Sequence, residues 1–160
     1  MIKNTIFKVN EKPKFLGQCS KMDSATIDFA GVTVGDYIST GVTANLDAPT
    51  AHGVVLGTTD AFGLKKTSPS SRLALVIATV DVSPEQKKTV GIKLAFNGTE
   101  IDESECRVTV SQQDIGKLHS MWILEMDEGD EVSVLIANHT NQGEIDFGRG
   151  RMTLTAVDNN

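Results

Sequence analysis

The sequence predicts an all-β fold, an antiparallel β-sandwich of jelly-roll type, and three observations lead there. Apolar and polar residues alternate with a period of two in several segments, as on strands with one buried face. Turn chemistry separates these segments, recurring roughly every 8–15 residues. No stretch carries helical spacing over a useful length, and residues 111–117 hold one helical turn at most.

The elements follow in chain order. In residues 1–18, Lys3, Lys8, Lys12 and Lys14 surround Ile2, Ile6, Phe7, Val9 and Phe15, and Pro13 interrupts sheet pairing. This segment reads either as a first edge strand or as an arm that docks elsewhere, ahead of a sandwich body over 19–160. Residues 72–82 form a strand closed by Ser83-Pro84. In 90–96 the even positions are apolar, and Asn97-Gly98 follows directly, a strong hairpin signal because both residues accept positive φ. Cys106, Val108 and Val110 alternate with Arg107 and Thr109. Residues 122–126 and 132–137 are strands separated by Glu128-Gly129-Asp130. After Gly148-Arg149-Gly150, Met152, Leu154 and Ala156 share one face of a last strand.

Two segments break the one-sided pattern. Residues 73–80 are apolar at both parities, and 132–137 nearly so. A strand apolar on both faces needs cover on both faces. A loop folded over it would serve, and so would a second copy of the chain. The second possibility nominates Leu73, Leu75, Ile77, Val134 and Ile136 as a subunit contact.

Composition narrows the function. The 160 residues carry 15 Lys and Arg against 21 Asp and Glu, a net charge of −6, which disfavours nucleic acid as a partner of the body. The longest apolar run has eight residues, too short for a membrane helix, so no membrane partner is expected. Met1-Ile2-Lys3-Asn4 lacks a secretory-signal pattern. The expectation is synthesis in a cytoplasm, with exit by lysis or in a particle, unless a signal has already been removed. Cys19 and Cys106 are too few for a disulfide scaffold and read as two reduced thiols, with a single bridge between them as the alternative.

Chemistry-bearing motifs are sparse. His119 and Ser120 are neighbours on a strand and point to opposite faces, so they make no nucleophile–base pair. Gly-x-Ser-x-Gly, His-Glu-x-x-His and Gly-x-x-x-x-Gly-Lys patterns do not occur. His52 and His139 fall in loops and read as hydrogen-bonded or solvated residues. The carboxylates Asp102, Glu103 and Glu105, and Asp127, Glu128, Asp130 and Glu131, resemble no EF-hand loop and read as solvated turns. Asn97-Gly98-Thr99 and Asn138-His139-Thr140 are sequons that matter only on a eukaryotic secretory route. No enzyme, no cofactor and no metal is expected.

A resemblance adds to this reading. Ile92–Ile101 with Asn97-Gly98, then Ser104, then the run from Trp122 through Gly129-Asp130 to Val134, then Met152–Val157, resembles the C1q/TNF-like jelly-roll modules of bacteriophage virion proteins. Residues 51–59 and Arg72-Leu73 fall where those modules carry an early strand and the entry to the next. The resemblance covers residues 45–158. It departs from animal C1q and TNF domains in lacking most of their aromatic positions and any collagen-like stalk.

The resemblance implies a homotrimer packed around a threefold axis and a place in the virion. The expected function is a capsid decoration (cement) protein, a structural trimer that binds the outer surface of the major capsid protein shell. Ile6, Phe7, Lys8, Lys12, Lys14 and Phe15 form its capsid-binding arm in this reading. The alternatives are a receptor-binding head of a phage fibre or tail, using loops such as 58–69 and 138–148, and a jelly-roll binding protein unrelated to phages.

Overall fold

Alternation sets two layers of strands facing one apolar interior. The computed structural model describes residues 15–47, 51–59, 62–69 and 71–157. Among them lie β1 (Leu16–Lys21), β2 (Ala25–Ile27), β3 (Ile38–Ser39), β4 (Asn45–Leu46), β5 (Val54–Leu56) and β6 (Gly63–Lys66). The long strands follow: β7 (Arg72–Ser83), β8 (Lys88–Phe96), β9 (Thr99–Val110), β10 (Gly116–Met126), β11 (Glu131–Asn138) and β12 (Ile145–Ala156). The first sheet runs β10-β7-β12-β1-β4, with β2 also on β12; the second runs β5-β6-β11-β8-β9, with β3 also on β11.

All the pairings are antiparallel. From β6 onward the chain crosses between sheets at β6–β7, β7–β8, β9–β10, β10–β11 and β11–β12, and only β8 and β9 form a hairpin among the long strands. That alternation of layers is the jelly-roll winding. The β8–β9 turn is Asn97-Gly98, with φ of 49° and 78°. The left-handed pair matches the right-handed strand twist. Residues 111–115 form a turn, not a helical one, with Gln113 at φ 62°.

The interior is aliphatic, as the shortage of aromatics requires. Ala74, Val76, Ala78, Val80 and Val82 of β7 face Val90, Ile92 and Leu94 of β8 and Val132, Val134 and Ile136 of β11 in one buried cluster. Each fully buried Val, Ile or Leu contributes about 1.5–3 kcal/mol. Phe62 and Phe147 meet edge to face at 5.5 Å between ring centres, plugging one region of the core.

The body begins earlier than residue 19. β1 opens at Leu16 and pairs with β12 from Leu16↔Thr155 onward, so 16–18 belong to the sandwich. Phe15, expected on the arm, is fully buried and has the Lys66 ammonium 5.4 Å from its ring centre. The reason is parity: Phe15, one residue ahead of β1, faces inward like Gly17 and Cys19 on it. Ile6, Phe7, Lys8, Lys12 and Lys14 lie outside the described residues.

Candidate functional site

Among the described residues, the outward face of the first sheet carries a row of exposed apolar side chains. On β7 the odd residues point away from the core, and the register sets each beside a residue of β10: Leu75 beside Ile123, Ile77 beside Met121, Thr79 beside His119. Met121 is 63% exposed, Ile123 55% and Ile77 39%, with Leu73 and Leu75 half-buried beside them. On the other side, Thr155 and Thr153 of β12 flank Leu75 and Ile77, and Gln18 of β1 flanks Thr153.

Charge is confined to the two ends of this row. Lys117, Asp81 and Arg151 stand at one end. Glu125, which accepts a hydrogen bond from the Ser71 hydroxyl at 3.1 Å, stands at the other. An apolar centre with a polar rim is the arrangement of a protein–protein contact. β10 is also the edge strand of its sheet, and an edge strand with exposed Met and Ile invites association.

The sequence expectations divide at this face. Leu73, Leu75 and Ile77 lie on it. Val134 and Ile136 do not: both are fully buried within the single chain, pointing into the sandwich. β11 is buried along its whole length because its second face is also covered, with Leu135 8% exposed and Ala137 fully buried. A segment of the same chain supplies that cover, as described below. Met121 and Ile123 complete the row and were not among the expected residues. The run Met121-Trp122-Ile123-Leu124, apolar at both parities, was the signal for them.

The remaining polar residues are mostly structural. Ser120 is buried and donates to the Ser104 carbonyl at 2.6 Å, while His119 on the opposite face is exposed. Glu131, 4% exposed, accepts from the backbone N–H groups of Thr58 and Thr59, both at 2.8 Å, and so anchors that loop. Cys19 and Cys106 are free thiols on β1 and β9. Burial pushes the Cys19 thiol up to about 12, which leaves it unreactive near neutrality. His52 bridges to Leu16 through the backbone. An open groove of about 600 Å³ at one end of the sandwich is lined by Met22, Val82, Ile115, Lys117, Asp146 and Arg149 and gathers no nucleophile–base pair.

No protein-family model matches the chain, and no curated protein matches it in sequence. Its fold has solved counterparts. The Eiger TNF of S. frugiperda superposes with a TM-score of 0.55 at 12% identity, over 93% of this chain and 96% of that one. Murine APRIL gives 0.53 at 10% identity, over 89% and 98%. The vertex protein P5 of phage PRD1 gives 0.56 at 10% identity, over 92% and 99%. At such identities the likeness is one of architecture, and the architecture is a TNF-like jelly-roll β-sandwich.

Proposed function

We propose that the chain is a non-catalytic structural protein of a bacteriophage virion that works as a homotrimer and decorates the outer surface of the capsid shell. The observation that carries the self-association is the apolar row Leu75, Ile77, Met121 and Ile123 with its polar rim. Burying the part of those four side chains that the single chain leaves exposed is worth, for each, up to about half of the 1.5–3 kcal/mol that fully burying an exposed side chain contributes. The virion context takes its support from the fold shared with the PRD1 vertex protein and from the sequence resemblance to phage jelly-roll modules.

Decoration divides the labour between two parts of the chain. The sandwich forms the trimer, and residues 1–14, with four lysines against one glutamate, grip the major capsid protein. The test is co-sedimentation of the purified protein with expanded empty capsids of the phage that encodes it. Saturable binding by the full chain, lost on deleting residues 2–12 with the oligomer mass unchanged per chain, is the expected result. Undiminished binding by the truncated chain refutes the arm, and no binding by the full chain refutes decoration.

The second reading, a receptor-binding head of a fibre or tail, draws on the vertex position named for the PRD1 protein. It calls for binding to host cells through the loop ends of the sandwich. A flat response across host cells and surface glycans removes it.

A further inference from the structure

Residues 30–39 run along β11 on the edge that β6 leaves free beyond Ser133, with β3 hydrogen-bonded in the plane of the second sheet, between the core side chains Phe29 and Thr40, which are 2% and 3% exposed. Gly31 at φ 79° and Gly41 at φ 62° bracket the segment in the left-handed region, each with open space where a Cβ would stand. Val32 and Ile38 of the segment pack against the core, and polar ties add to them. β3 pairs Ile38 and Ser39 with Ile136 and Leu135. Gly35 N–H donates to the Asn138 carbonyl at 2.9 Å, and Gln142 Nε2 donates to the Val32 carbonyl at 2.8 Å.

The fourth tie is Tyr37. Extending the β3–β11 register by one residue sets Tyr37 opposite Ala137, which in turn stands opposite Gly91 of β8. Alanine and glycine make a shallow trough for the ring. A Cβ on Gly91 would lie 2.7 Å from His139 Nε2 and closer still to Tyr37 Oη. Lys93 Nζ sits 4.4 Å from the centre of the Tyr37 ring, and the His139 ring meets it edge-on at 5.7 Å.

The hydroxyl of Tyr37 donates to Glu105 Oε1 and lies 3.3 Å from His139 Nε2. Glu105 is brought there by an irregularity in β9. Between Ile92↔Cys106 and Leu94↔Ile101 the ladder shifts, and the Ser104 hydroxyl fills the gap by accepting from Leu94 N–H. This projects Asp102 and Glu105 outward, where Asp102 accepts from Lys93 at 2.7 Å and Glu105 accepts from Arg107 Nε at 2.8 Å.

We propose that residues 30–39 are a flap latched onto the second sheet by Tyr37 at neutral pH, and that proton uptake by His139 releases it in acid. One proton decides the hydrogen-bond order. Tyr37 gives its hydroxyl proton to Glu105, so His139 presents Nε2–H to the phenol oxygen, as the neutral tautomer. A second ring proton makes His139 a cation among Lys93 of β8 and Arg107 of β9, against the single carboxylate of Glu105, 3.9 Å away. The carboxylates of Asp102 and Glu100 are already engaged by Lys93.

The titration behaviour of the cluster agrees. Burial, and next the Arg107 charge, hold His139 below its ordinary value, with Glu105 opposing and Lys93 adding. Burial works to raise Glu105, but the hydrogen bonds from Tyr37 and Arg107 carry its net shift downward, so it stays ionised as His139 titrates. A histidine depressed in the latched form contributes stability that is complete above the free value of 6.5 and is lost as pH falls from there through the depressed value. Opening uncovers Leu135 and Ala137.

Amide hydrogen exchange on the intact protein at pH 7.5 and pH 5.0, corrected for intrinsic rates, reads the latch. Peptides covering 30–39 should exchange on the order of tenfold faster at pH 5.0, while β7 and β12 keep their protection. Tyr37→Phe should exchange fast in the flap at both pH values. In His139→Gln the ratio between the two pH values should fall to about one, whatever the absolute rate. A wild-type flap equally protected at both pH values overturns the proposal, as does an acid response that persists in His139→Gln.

Discussion

Gly17 shows what the interior demands of single residues. On β1 it faces Val54 of β5, and a Cβ there would lie 2.5 Å from Val54 Cγ1 and 2.6 Å from its Cβ. Those atoms sit at the root of a short branched side chain and cannot swing away. Gly17→Ala should therefore cost about 1–3 kcal/mol of stability, read as a lower urea midpoint at constant slope. Glu131 presents the opposite case, a buried acceptor whose removal leaves two backbone N–H groups without their partner. Glu131→Ala should cost about 1–3 kcal/mol and loosen residues 57–59, which exchange measurements on that loop would register. Cys19, buried and held protonated, should resist iodoacetamide at pH 8 in the native protein and react once urea unfolds it.

At the scale of elements, two strands that look alike in sequence solve the same problem differently. β7 and β11 are both apolar at both parities. β11 is sealed inside the chain, with Val134 and Ile136 in the sandwich and Ala137 in the trough that Tyr37 crosses. β7 keeps Leu75 and Ile77 on an open face beside Met121 and Ile123 of β10. Ile136→Ala should therefore cost about 2–5 kcal/mol of stability and leave the oligomer mass of the folded fraction unchanged. Met121→Lys with Ile123→Lys should change the mass, and should lower the denaturation midpoint only by what assembly contributes, a difference that vanishes as the wild type is diluted below its association range. The long strands were legible because period-two alternation and Asn97-Gly98 are local signals. The cover on β11 was not, because Tyr37 lies about a hundred residues away in the chain. β2 to β5, two or three residues each, are too short to show a period and are defined only by the partners they pair with.

For the whole molecule, a sandwich sealed on one sheet and open on the other is asymmetric in a way that suits closed assembly. One apolar face, one polar rim and a charged end at each side describe a patch that copies of the same chain can share around an axis. The fold class was readable from alternation and turns, and the superpositions agree with it. The placement of the open face was half readable: Leu73, Leu75 and Ile77 came from the two-faced run, while Met121 and Ile123 needed the β7–β10 register. The central claim is that this face joins copies of the chain. Light scattering after size exclusion tests it most directly. The account predicts about 52 kDa, three chains of 17.2 kDa each, for the wild type, and a single-chain mass for the Met121→Lys, Ile123→Lys double variant. A wild type that runs as one chain at micromolar concentration, or a double variant that keeps the trimer mass, would contradict it.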